Sequence, residues 1–167
     1  MTRPGQPISV TLSDDAATAR LGARLAAFLK AGDFIALRGD LGAGKTALAR
    51  AIIQTRARAQ GLSEEVPSPT FTLVQIYDRA DLTLVHVDLY RISDPHELEE
   101  LGLEEVRDDS ALLVEWPERL GGELPTERLD ITLELVPEGG RRARLAAGPS
   151  WQARWPDLMR AVNEEPE

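Results

Sequence analysis

Eight consecutive residues carry the strongest chemical signal in this chain: Gly39-Asp40-Leu41-Gly42-Ala43-Gly44-Lys45-Thr46. Glycines at 39, 42 and 44 let the backbone curl so that successive N–H groups face inward as an anion nest. A helix opening there adds the partial positive charge of its N-terminus. Lys45 can then reach β- and γ-phosphates, and the Thr46 hydroxyl suits a hard cation such as magnesium. The spacing G-x-x-x-x-G-K-[ST] has this meaning only between a strand and a helix. Both flanks qualify, since Phe34-Ile35-Ala36-Leu37 reads as a short buried strand and residues 46–59 as a helix. Lys30 and Lys45 are the only lysines against a large majority of arginines, so the loop position calls for a compact ammonium and not a planar fork.

A nucleotide loop of this kind needs carboxylates near the magnesium, at the ends of neighbouring buried strands. Two segments offer them. Ala111-Leu112-Leu113-Val114 runs into Glu115-Trp116-Pro117-Glu118, and Leu84-Val85-His86-Val87 runs into Asp88-Leu89-Tyr90-Arg91. Acids at the carboxyl ends of such strands share the sheet edge with the phosphate loop. Glu115 and Asp88 are therefore candidate catalytic and metal-facing residues with Lys45 and Thr46. His86 shares a strand face with Asp88; it either orients that carboxylate, takes part in proton transfer, or is a satisfied core histidine. Trp116 either stacks on a base, covers the site or packs beside a strand end. Arg91 is a candidate accessory charge, whereas His96 reads as surface.

Between the helix and the next strand lies Val66-Pro67-Ser68-Pro69-Thr70-Phe71. Two prolines fix φ and extend Ser68, which holds the Ser68 and Thr70 hydroxyls in a stiff bend. Segments that sense a γ-phosphate occupy this position in nucleotide switches.

The remaining elements must position these groups. Residues 7–12 alternate as a strand, Ser13-Asp14-Asp15 offers caps for a helix over 16–30, and Gly32-Asp33 ends it. Residues 72–77 and 82–87 read as a hairpin, and Asp94-Pro95 starts an acidic helix reaching about 101. Strands at 129–136 and 142–147 flank the turn Pro137-Glu138-Gly139-Gly140, with a closing helix over 151–162. Trp151, Trp155 and the Arg141-Arg142 pair read as packing and turn residues. The order predicts an α/β P-loop NTPase fold, a three-layer sandwich with a mixed, mostly parallel central sheet and a C-terminal β-hairpin. One domain over 1–167 is expected, with hairpin and helix about 128–162 as an extension.

Composition narrows the function classes. There is no cysteine, which removes disulfides, thiolate metal sites and cysteine nucleophiles. A formal charge of −9 argues against unaided gripping of nucleic-acid phosphates. No apolar run approaches the ~20 residues of a membrane span, and Met1-Thr2-Arg3-Pro4-Gly5 lacks the features of a secretory signal. A cytoplasmic location, with no membrane, is expected.

In succession, GDLGAGKT, SPTF, HVDLYR and LVEWPE closely resemble the TsaE (YjeE) family, the ATPases of tRNA threonylcarbamoyladenosine biosynthesis. The resemblance implies ATP and Mg2+ as cofactors, with ATP on residues 39–46, magnesium held by Thr46 and Glu115, and Asp88 required for hydrolysis, near the ion directly or through water. Ser68 and Thr70 fall in a switch-like loop, and Asp15 falls near the nucleotide base. It also implies a TsaB–TsaD protein complex as partner, in which threonylcarbamoyl is transferred to adenosine 37 of tRNA; tRNA is met only through that complex. The acidic charge, including Glu97, Glu99, Glu100, Glu104 and Glu105, suits a basic protein partner or simply a solvated helix face. Beyond about Pro137 no family motif is matched. Two other readings use the same loop: a small-molecule kinase, and a nucleotide-dependent interaction module with negligible hydrolysis.

Overall fold

The computed structural model describes residues 6–164; the Met1–Gly5 segment considered above lies outside them. β1 (Ile8–Leu12) leads into α1 (Asp15–Ala26), and β2 (Phe34–Arg38) leads through the glycine loop into α2 (Lys45–Ala59). β3 (Val74–Tyr77) and β4 (Thr83–Asp88) form the expected antiparallel hairpin. Two short helices, α3 (Pro95–Glu100) and α4 (Leu103–Arg107), precede β5 (Ser110–Glu115). The chain ends with β6 (Leu129–Leu135), β7 (Arg141–Ala147) and α5 (Trp155–Asn163).

One seven-stranded sheet results, ordered β1-β7-β6-β2-β5-β4-β3. β2 pairs in parallel with both β5 and β6, and β5 with β4, while β7 and β3 join antiparallel. β1, β6, β2, β5 and β4 thus run one way and β7 and β3 the other, the mixed and mostly parallel sheet expected. Hydrophobic residues alternate between its faces with period two. Ile35, Leu37, Leu84 and Leu113 face a core with α1, α2 and α5, whereas Phe34, Ala36, Val85, Val87, Leu112 and Val114 face a second core with α3 and α4. The three layers follow from that alternation.

Local chemistry explains where the elements differ from expectation. The Asp14 carboxylate accepts from the Ala17 N–H at 2.8 Å, capping α1 one residue later than Ser13 would. α1 stops at Ala26 and does not reach residue 30, because the Lys30 N–H donates to Asp33 Oδ2 at 2.8 Å. The closing helix is split: a 3-10 turn at Pro149–Trp151 precedes α5, whose start carries Pro156, a residue suited to a first helical turn. α4 follows Gly102 at φ 65° and has no counterpart in the sequence reading. The C-terminal hairpin inserts β6 directly beside the loop-bearing strand β2, and Trp151 and Trp155 are fully buried behind it.

Candidate functional site

The loop after β2 folds as its residue types require. Gly39, Gly42 and Gly44 all have positive φ, and Gly44 forms the N-cap of α2 in the left-handed region. Gly39 has a second reason to be glycine: a Cβ there would stand 2.5 Å from the Leu133 carbonyl oxygen of β6. Lys45 Nζ donates to the Gly39 and Asp40 carbonyls at 2.5 and 2.9 Å and lies 4.2 Å from the centroid of the Trp116 ring. Burial lowers the Lys45 pKa from its ordinary value, opposed by the nearby charges of Glu115, Asp88, Glu118 and Asp40. A neighbouring anion is the natural complement of such a partly desolvated ammonium.

The acids stand where strand-end reasoning places them. Asp88 and Glu115 are direct partners in the β4–β5 register and both are buried. Thr46 Oγ1 donates to both Glu115 oxygens, at 2.8 and 3.0 Å. Asp88 Oδ1 accepts from the Tyr90 N–H at 2.9 Å, and Oδ2 from Thr70 Oγ1 at 3.1 Å. Thr70 Oγ1 is in turn 2.7 Å from Ser68 Oγ, so the proline-framed loop is wired to the β4 carboxylate. Loop residues, Thr70, Asp88, Tyr90, Glu115 and Trp116 together line a cavity of about 280 Å³. A separate cavity of about 330 Å³ opens under α3 and α4 on the opposite sheet face and touches none of these residues.

Two placements differ from the sequence reading. His86 points to the same face as Asp88, yet its Nε2 meets Glu115 Oε2 at 2.7 Å. The register explains this, since His86 pairs with Leu113 and so lies diagonal to Glu115 across two parallel strands. Arg91 is exposed, its guanidinium 5.3 Å from the Phe71 ring centroid, and lines no part of the cavity. Asp15, expected near the nucleotide base, pairs with Arg141 NH1 at 3.1 Å.

Two residues stand closer to the site than the sequence indicated. Tyr90 packs on Trp116 with ring centroids 5.1 Å apart. Arg141 rests on Gly44, near enough that a Cβ there would stand 3.0 Å from its Nε. The only advance signal for Arg141 was its place just after the Gly139-Gly140 turn. Leu73 and Trp116 are the non-glycine residues at positive φ among the described residues, and Trp116 lines the cavity. Leu73 uses that strained geometry to accept from the Asp88 N–H at 2.9 Å.

A parallel-centred α/β sheet, a glycine nest opening a helix and an acid at the end of each of the two strands β5 and β4 on one side of β2 define the P-loop NTPase class. Comparison with known proteins agrees. The crystal structure of Bacillus subtilis YdiB superposes with a TM-score of 0.77 at 29% identity, covering 97% of this chain and 100% of that one. Residues 12–143 match the family model for threonylcarbamoyl adenosine biosynthesis protein TsaE. The tRNA threonylcarbamoyladenosine biosynthesis protein TsaE of Rickettsia felis is 37% identical over 139 residues, 83% of this chain and 80% of that protein. The same-named Bacillus subtilis protein is 38% identical over 140 residues, 83% and 85% of the two chains. The chain belongs to the TsaE family, whose members take part in threonylcarbamoyladenosine biosynthesis on tRNA.

Proposed function

We propose that this single-domain protein binds ATP with magnesium on residues 39–46 and hydrolyses it, acting with a TsaB–TsaD complex to sustain modification of adenosine 37 in tRNA. The observation that carries the reading is the convergence of Lys45, Thr46, Glu115 and Asp88 on one cavity, although they come from three elements of the fold. The residues suit magnesium. Thr46 and Glu115 present only oxygen donors, which a hard cation prefers. Among the described residues no set of three acidic, histidine or cysteine side chains forms a closed metal cage. That fits an ion whose shell is shared with phosphates and water. When bound, magnesium supplies positive charge to the phosphate oxygens.

The chain's own residues do the rest. The nest N–H groups and Lys45 hold the β- and γ-phosphates and stabilise charge that develops during transfer. Asp88 accepts a hydrogen bond from the attacking water and orients it in line. Thr70 shares that carboxylate, so the Ser68–Thr70 pair is placed to sense whether the terminal phosphate is present. The charge of −9 supports contact with tRNA through protein partners and not directly. No helix among the described residues is long and apolar enough to cross a membrane, and a role in tRNA modification fits the cytoplasm.

The test is phosphate release from ATP, with and without TsaB–TsaD, for the unsubstituted chain and for Asp88→Ala. The variant is expected to keep nucleotide affinity and lose roughly a hundredfold or more in turnover. Unchanged turnover refutes the role of Asp88. Phosphoryl transfer to a small acceptor identifies a kinase, and binding without release in either condition identifies an interaction module.

A further inference from the structure

The order of the sheet decides which end of a bound nucleotide lies where. Glu115 and Asp88 end β5 and β4, and Thr70 precedes β3, so the groups facing the terminal phosphate all stand on one side of β2. On the other side come β6, β7 and β1. A nucleotide seated in the nest with its terminal phosphate toward Asp88 therefore directs its nucleoside over β6 and β7. Arg141, the first residue of β7, waits there.

Its side chain lies against the loop, with more polar capacity than its visible partner uses. A Cβ on Gly44 would lie 3.0, 3.2 and 3.3 Å from Arg141 Nε, Cδ and Cζ. Three successive atoms at nearly equal distance mean that the side chain runs flat across the loop. Nε is buried and has no hydrogen-bond partner. NH1 donates to Asp15, but that carboxylate is 96% exposed, and ion pairs so solvated contribute little. The backbone is pinned as well: Gly140, at φ 76°, abuts β1 so closely that a Cβ would meet the Leu12 carbonyl oxygen at 2.6 Å.

We propose that Arg141 is a nucleoside-contacting residue, its guanidinium plane packing on the face of the base while its other face rests on Gly44. This rests on the nucleotide-binding reading above. Guanidinium suits the position because it is planar, weakly hydrated and stacks on aromatic faces, which an ammonium does not. Phosphate recognition is already supplied by the nest and Lys45.

The test measures, by calorimetry on the full chain with magnesium, the affinities of ADP and of inorganic tripolyphosphate, which has no nucleoside. Arg141→Ala is expected to weaken ADP about five- to tenfold and leave tripolyphosphate unchanged. Arg141→Lys, which keeps the charge and loses the plane, should weaken ADP equally. The tripolyphosphate arm also reports that the loop remains folded. An equal loss for both ligands, full rescue by Arg141→Lys, or unaltered ADP binding in Arg141→Ala would each overturn this inference alone. Failure of the unsubstituted chain to bind ADP or ATP would overturn the nucleotide reading along with it.

Discussion

Replacing His86 by leucine separates a positioning role from a packing one. His86 is fully buried, and its Nε2 lies 2.7 Å from Glu115 Oε2. A carboxylate offers only lone pairs, so Nε2 carries the proton and donates. Leucine fills similar space without the donor. Losing a hydrogen bond to a charged group costs about 1.5–3 kcal/mol. However, His86 Nδ1 is buried with no partner, and deleting an orphaned polar atom recovers about 1–3 kcal/mol. The two nearly cancel, leaving a net change within about 2 kcal/mol, or roughly 4–8 °C in melting temperature for a chain of this size. Glu115, by contrast, loses the donor that fixes the carboxylate it turns toward Thr46. Loss of such an orienting partner lowers metal affinity about 10–100-fold. The assay is a magnesium titration of fluorescent ATP-analogue binding, with thermal melting alongside. His86→Gln, which keeps an N–H at similar reach, should restore the magnesium midpoint. A midpoint unmoved in His86→Leu, whatever happens to melting, would refute the orienting role.

Three further outcomes follow from buried charges. Burial lowers the Lys45 pKa below 10.5, so as pH rises the ammonium is lost earlier than on an ordinary lysine, and nucleotide affinity should fall at a pH below 10.5. For stability the sign is opposite: the unfolded chain holds that proton more tightly, so Lys45 adds stability as pH climbs from its folded pKa toward 10.5, an increment Lys45→Met should remove from a pH–melting profile. Asp33 accepts from Arg154 NH1 and NH2 at 2.7 and 2.8 Å and is buried; Asp33→Ala leaves the guanidinium without its counter-charge, held only by the Phe28 and Ser150 carbonyls and the Trp151 ring, and should cost about 3 kcal/mol in denaturant unfolding. A loss under about 1 kcal/mol would show that water replaces the carboxylate.

The site was legible in the sequence where a backbone requirement and a side-chain requirement coincide. Gly39, Gly42, Gly44, Lys45 and Thr46 form a contiguous segment whose spacing already encodes its geometry, and Asp88 and Glu115 each end a buried run. Which acid His86 touches was not legible, because a strand gives the face but not the neighbour; only the register of β4 on β5 selects Glu115 over Asp88. Arg141 was hidden for the same reason at longer range. Nothing local in Gly140-Arg141-Arg142 announces that antiparallel pairing carries the residue back to Gly44, on a helix begun far earlier in the chain. The sheet's strand directions followed from element order, whereas the place of the C-terminal hairpin beside β2 is a tertiary choice, made by apolar Leu129, Ile131 and Leu133 meeting the buried face of the central strands.

That choice has a consequence for how the chain is made. Gly39 rests on the Leu133 carbonyl and Gly44 beneath Arg141, so two walls of the phosphate loop are synthesised well after the loop itself. Until then β2 lacks one of its two neighbours, and pairing across such sequence separation is the slow part of folding. A chain cut before residue 129 would carry the whole GDLGAGKT motif and still hold no finished phosphate cradle. The arrival of β6 and β7 therefore decides when the cradle is finished.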